Sequence, residues 1–278
     1  ARFGNVKERD SLNIRGINSR GSTDSRSYIY GQVRVGGTVV YMETTGTDNE
    51  FLHMVLVHCD HEVEELGDVY VNDVKVVFDS GSEGSLRNAQ GTRFRNSLYI
   101  ADHLGGPSQT VDSTLDAASG KWYSSDKLSG MAYTYIRMEL KTGEDNAFPN
   151  GIPTFTRVVK GREVYDPRLD STQTGIGGSG SHRSNDSTTW EWSNNWALCV
   201  ADYITSDFGY GRFGNSWSNI NIAELDASAD NCDETVNEVF ASWSNGETVS
   251  EGWRRSVDVY LLKANNDGTT GSTIPDHT

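Results

Sequence analysis

The sequence predicts a mainly β protein with a few helices, an α+β chain of antiparallel strands in a barrel or sandwich plus a small helical segment. Two observations point there. Alternating or uniformly apolar runs recur between clusters of Gly, Asn, Asp and Ser, while only 35% of residues are apolar, which suits short strands joined by many turns. After residue 190 the apolar spacing changes from a period of two to that of a helix. A chain of 278 residues can bury a real core in about one or two domains.

Residues 1–27 are polar and rich in Arg, Asn, Ser and Gly, and read as an extended N-terminal arm of the kind that orders against a neighbour. A β-rich region is expected over 28–169. It opens with Tyr28 to Val35 and Thr38 to Thr44, with Gly36-Gly37 as a two-residue hairpin turn between them. Phe51 to Cys59 is nearly all apolar, as in a strand covered on both faces. Asn72-Asp73 predicts another hairpin, flanked by Asp68 to Val71 and Lys75 to Phe78. Ser108 to Ala118 reads as a short helix capped by Ser108, and Met131 to Leu140 alternates as a strand. Thr154 to Val159 and Arg162 to Tyr165 are expected to pair across Lys160-Gly161, with Pro167 ending the ladder.

Residues 170–189 are nearly devoid of apolar side chains and read as a flexible loop insertion. A helix-containing segment follows over 190–262. Trp196, Cys199, Val200, Tyr203 and Ile204 fall on one helical face, capped by Ser193 or Asn194 and ended by Gly209 and Gly211. Ile222, Leu225, Ala229 and Cys232 mark a second helix capped by Asn221, and Ser256 to Leu262 a final strand. Residues 263–278 have the composition of a disordered tail, and no repeat of fixed period is present.

The formal charge of −15 disfavours contact with phosphates or anionic lipid, so no specific nucleic-acid recognition is expected. Arg254-Arg255, the one small basic cluster, reads as a solvated pair. The apolar runs are too short for a membrane span, and no charged leader with an apolar stretch opens the chain. The three cysteines form no disulfide framework and no zinc-type pair.

Catalytic and metal readings find little support. In His58-Cys59-Asp60-His61 a strand sends alternate residues to opposite faces, so the four cannot share one tetrahedral shell. Glu62, Glu64, Glu65 and Asp68 read as a solvated rim, and Asp233-Glu234 as surface residues, rather than glycosidase-type pairs. Gly175 to Gly180 lacks the Lys-Ser/Thr ending of a phosphate loop. Cys199 and Cys232 are expected to be buried and inert on apolar helix faces. No catalytic residue, cofactor site or metal ligand is therefore assigned. Of the tryptophans, Trp196 lies on the apolar stripe and is expected to be buried. Trp190 and Trp192, at the border of the long loop, are interface candidates, as is Tyr210 in Phe208-Gly209-Tyr210-Gly211.

Several blocks occur in an order that resembles the central tail-tip hub of long-tailed bacteriophages, the lambda protein J type, and related hubs of prophages and gene transfer agents. They are Tyr30 to Gly37, Leu52 to Val55, His61 to Asp73, Val158 to Arg168, the helix opening Trp196-Ala197-Leu198-Cys199, and Asn231-Cys232-Asp233-Glu234. The resemblance implies tube-type β-barrel hub domains in a non-enzymatic structural protein of the virion's distal tail. It implies a homotrimer that adapts a sixfold tail to a threefold tip, bounds the DNA channel, and serves host attachment and DNA ejection. Its implied partners are distal tail and tail-tube proteins, the tape-measure protein, and tip or fibre proteins. The family's longer N-terminal hub region and its fibronectin-like and receptor-binding parts have no counterpart in these blocks, so receptor binding is not expected of them. A ring of Asp or Glu is expected to line the channel, with Trp190, Trp192 and the 170–189 loop near subunit contacts. The alternative is a secreted carbohydrate-binding or carbohydrate-cleaving β-sandwich, suggested by acidity, tryptophans and Gly/Ser/Asn-rich loops; a metal-dependent hydrolase is a third.

Overall fold

The computed structural model describes residues 15–19, 27–141 and 146–234, and the backbone of short strands within 248–269. The chain forms two compact units, Leu12–Asp233 and Ala1–Ser11 with Glu234–Thr278. The large unit is mainly antiparallel β with three α-helices among the described residues. Its sheet strands are β1 (Arg15–Ser19), β2 (Gln32–Thr45), β3 (Phe51–Cys59), β4 (Glu65–Val71), β5 (Val74–Val76), β6 (Arg87–Asn88), β7 (Leu98–His103), β8 (Ala132–Glu139) and β9 (Phe155–Lys160). They run in the order β5-β4-β9-β2-β3-β8-β7-β6, with β1 parallel to β2.

The sheet curls. Val69 and Val71 of β4 share one apolar cluster with Leu98 and Ile100 of β7, although four strands, β9, β2, β3 and β8, separate them in the sheet order. The two ends of the order also meet. Phe78 bridges Ala89, Gln90 N–H donates to the Val77 carbonyl at 2.7 Å, and Asp79 N–H to that of Asn88 at 3.0 Å. Closing a sheet on itself removes the unpaired edges that would otherwise invite aggregation.

The enclosed side is layered. Along β9 the inward residues are Phe155, Arg157 and Val159; along β8, Ile136, Thr134 and Ala132; along β7 and just beyond it, Ile100, Asp102 and Leu104. Each strand thus passes from one apolar cluster, through a polar residue, to a second apolar cluster. The polar belt is held by Arg157, which pairs with Asp102 and donates to Thr134 Oγ1 at 3.0 Å and to the Leu66 carbonyl. Arg87 pairs with the same carboxylate. The His58 imidazole lies 2.8 Å from the Gly36 carbonyl and 2.9 Å from Thr134 Oγ1. Buried charges persist only when paired and hydrogen-bonded in this way. The outer side of β3, β7 and β8 carries Val55, Ala101, Tyr133 and Tyr135, covered by Trp122 and by Leu115 of helix α1 (Ser113–Ala118).

Several local expectations change. Gly36-Gly37 does not turn the chain, because β2 continues through both residues. A Cβ on Gly37 would stand 2.7 Å from the Val57 carbonyl oxygen, so this glycine lets β3 press close rather than reversing the strand. The Asn72-Asp73 hairpin is present, with φ values of 47° and 64° at the two turn residues, as a type I′ turn requires. The helix near 113 starts late. Its cap is Asp112, which accepts from Leu115 N–H at 2.8 Å, while Gln109 uses its side chain to hold an irregular segment before it. Finally, β9 does not pair with β10 (Glu163–Val164), which pairs instead with β11 (Glu191–Trp192). The backbone at Gly161 and Arg162 is already bonded to the Gly31 and Ile29 carbonyls at 2.8 and 2.9 Å, so it cannot fold back as a hairpin.

Residues 170–189 carry short 3-10 turns and a bridge from Asp170 to Ser181. Asp170 is buried and accepts from Tyr165 Oη at 2.7 Å, Thr172 N–H at 2.8 Å and Arg183 at 3.0 Å. In the small unit β13 (Arg254–Val257) pairs with β14 (Tyr260–Lys263), and β12 (Thr248–Val249) with β15 (Gly268–Thr269). The expected single strand over Ser256 to Leu262 is thus a hairpin. Apart from β1, the N-terminal arm lies outside the described residues, as do the side chains of Arg254 and Arg255 and most of the tail.

Candidate functional site

The helical part of the large unit is built by α2 (Trp196–Thr205) and α3 (Ile222–Asp233). The cap of α2 is Asn195, one residue beyond the expected pair. Its Oδ1 accepts from Ala197 and Leu198 N–H at 3.1 and 3.3 Å, and its Nδ2 donates to the Ala229 carbonyl at 2.8 Å. One buried side chain therefore starts one helix and ties it to the other. Leu198 and Ala201 pack on Leu225 and Ala229 of α3 and on Val164 of β10. The turn after α2 is tight. A Cβ on Gly209 would lie 1.9 Å from the Tyr203 carbonyl oxygen, so only glycine fits.

Asp202, fully buried on α2, anchors the helix to the sheet. Its Oδ2 accepts from Tyr30 Oη at 2.5 Å and from Arg162 Nε at 3.1 Å. Burial, reinforced by Asp202, raises the Tyr30 phenol well above its ordinary value. Arg168 clamps α3, meeting Asp166 at 2.7 Å, Asp230 at 2.9 Å and Asp233 at 2.8 Å. Asp233 is thus an ion-pair partner.

This anchoring turns α2 away from the orientation its apolar stripe predicts. The buried residues are Leu198, Cys199, Ala201 and Asp202, while Trp196 is 73% exposed and Tyr203 43% exposed. Trp196, expected in the core, is therefore on the surface, because Asp202 is drawn inward by Tyr30 and Arg162. Tyr210, at 53%, and Phe213, at 69%, extend the uncovered aromatic surface. Between α2 and α3 runs a groove of about 400 Å³ lined by Trp196, Val200, Ile204, Ile220, Leu225 and Cys232. Contiguous exposed apolar surface of this kind marks interaction sites.

The other sequence-selected residues fall elsewhere. Trp190 is half-buried, packs with Tyr165 and Trp217, and donates from Nε1 to the Arg183 carbonyl at 2.8 Å. Trp192 donates to the Gly31 carbonyl at 3.3 Å, with the Lys160 ammonium 5.5 Å from its ring centroid. Neither joins the uncovered surface around Tyr210. Cys232 is exposed, not buried, since α3 turns it into the groove, and all three cysteines are free. Burial raises the Cys59 thiol to about 12 and the Cys199 thiol to about 11, which leaves both unreactive near neutrality. Burial likewise lowers His58 to about 4, so it is neutral. Nδ1–H then donates to the Gly36 carbonyl, and Nε2 faces Thr134 Oγ1. Among the described residues no group of three or more His, Cys, Asp or Glu could hold a metal ion, and no helix is long and apolar enough to cross a membrane.

No protein-family profile and no curated protein matches the chain. Among solved structures, it is similar to a chain of the virion of a native gene transfer agent (GTA) particle, with 16% identity and a TM-score of 0.39. The match covers 69% of this chain, which spans 43% of that one.

Sequence reasoning missed Asn195 as the cap, Asp202 as the anchor and Asp102 as the centre of the interior belt. The Asn195 signal was present, as a capping residue directly before Trp196. A lone Asp inside a helical or strand pattern carries no comparable signal, because its partners are distant in sequence.

Proposed function

We propose that the chain is a structural component of a phage-type virion, a hub at the distal end of a long tail that assembles as a homotrimer. The observation that carries this reading is the ordered set of tail-tip-like sequence blocks, together with how the fold joins them. Tyr30 of the first block and Arg162 of the fourth both meet Asp202 on the α2 block. His61 of the third accepts from Ile29 beside the first, and Arg168 of the fourth meets Asp233 of the last. Residues widely separated in sequence thus form one connected framework.

In this reading the chain has no reacting centre and bounds the DNA passage. Its partners are further copies of itself, tail-tube and other distal tail proteins, the tape-measure protein, and tip or fibre proteins. The uncovered surface of Trp196, Tyr203, Tyr210 and Phe213 supplies a contact to a neighbouring copy, since an apolar surface of this kind is costly to leave in water. Light-scattering mass analysis of the purified chain tests the assembly, with a mass of about three 30.6 kDa chains expected. Tyr210→Asp combined with Phe213→Asp should yield monomers with unchanged circular dichroism. A wild-type chain that is monomeric at high concentration, and absent from purified particles by mass spectrometry, would overturn the proposal.

A further inference from the structure

The segment from Tyr28 to Gly31 is a strap that crosses between several elements. Its Ile29 side chain is buried in the second apolar cluster, and its Ile29 and Gly31 carbonyls accept from Arg162 and Gly161 N–H at 2.9 and 2.8 Å. Tyr28 stacks on Phe208 with ring centroids 3.9 Å apart, and on His61 at 5.4 Å. Tyr30 reaches Asp202. The strap thus fastens the turn after β3, the end of β9 and helix α2 to one another.

His61 holds the strap by a bond whose direction is fixed. Its Nδ1 lies 2.6 Å from the Glu62 carbonyl, which can only accept, so Nδ1 carries the proton. Its Nε2 lies 2.8 Å from the Ile29 backbone nitrogen, which can only donate, so Nε2 must present its lone pair. A second proton has no place to go except Nε2, where it would meet the Ile29 N–H head-on. We propose that His61 is a proton-operated latch, and that protonation at Nε2 releases the Tyr28–Gly31 strap.

The surroundings set the sign. Burial is the largest influence and lowers the imidazole from its ordinary value; the Glu62 carbonyl opposes this. Arg162, from the segment after β9, also disfavours the cation, whereas Asp60 on the same turn and Asp202 on α2 favour it. Tyr28 stacks its ring on both His61 and Phe208. The released state takes up a proton at about pH 6.5, the docked state only at lower pH. Docking is therefore intact above about pH 6.5 and weakens as pH falls. The opening equilibrium grows by up to about tenfold per pH unit until the docked pKa is reached.

Hydrogen exchange followed by mass spectrometry, corrected for the intrinsic pH dependence of exchange, tests this on the full chain. Between about pH 7.5 and about pH 5, opening of the amides at 28–31 should rise by up to tenfold per unit below about pH 6.5. Those of β3 should rise much less. His61→Gln keeps an acceptor for Ile29 and removes the titration, so its strap should respond little to pH. Strap protection that is flat in the wild type, or an unchanged pH response in the variant, overturns the proposal. Should His61→Gln fail to fold, the wild type still decides by NMR. The Ile29 amide shift must titrate together with the His61 ring, and independent titration overturns the latch.

Discussion

Replacing Asp102 by asparagine removes the carboxylate around which the interior belt is organised. Arg157, with 3% of its side chain exposed, and Arg87, with 18%, both point at it. In the variant the amide still accepts one bond, but two guanidinium groups are left facing each other without a counter-charge. Burial already lowers the Arg157 pKa, with Asp102 the largest opposing influence, so the group depends on this partner to remain charged. Breaking a buried pair by removing one member costs about 3–5 kcal/mol. Because asparagine retains an acceptor, about 3–4 kcal/mol is expected here. With a urea m-value of about 2–3 kcal/mol/M the midpoint should fall by about 1–2 M, and the melting temperature by about 6–16 °C. Asp102→Leu combined with Arg157→Met should recover part of the loss, since only Arg87, with 18% of its side chain exposed, is then left without its partner. A single variant that costs under about 1 kcal/mol, or a double variant as unstable as the sum of the singles, would refute the reasoning.

Two further outcomes rest on His58 and Asn195. His58 is lowered to about 4 by burial, so the unfolded chain binds its proton first. Its contribution is complete above about pH 6.5 and declines to about pH 4, by about 3 kcal/mol in total; urea titrations at several pH values should flatten in His58→Gln over that window. Asn195→Ala removes the α2 cap and the bond to Ala229, and should cost about 2 kcal/mol by urea denaturation. Asn195→Ser, which can cap but cannot reach α3, should recover about half of it.

The fold class was legible because strand and helix periods are local. Phe51 to Cys59 and Met131 to Leu140 became β3 and β8 because each sends apolar residues to both sides of the sheet. Pairing was less legible. Gly36-Gly37 has the composition of a turn, and only the proximity of Val57 explains why the strand runs straight through it. The uncovered surface was half legible. Tyr210, an interface candidate from its glycine-flanked motif, is exposed, but the exposure of Trp196 depends on Asp202 finding Tyr30, a partner 172 residues away in sequence. Helical periodicity records which side of α2 is apolar and says nothing of which side a buried ion pair pulls inward.

The layered filling of the curled sheet bears on how such a protein could surround anything. Phe155, Arg157 and Val159, with their counterparts on β7 and β8, occupy the space that the strands enclose. Among the described residues, the curled sheet itself therefore encloses no bore. In the proposed trimer the opening would run along the symmetry axis, walled by outward-facing side chains, and its width would be set by how the copies lean on each other rather than by the number of strands in each.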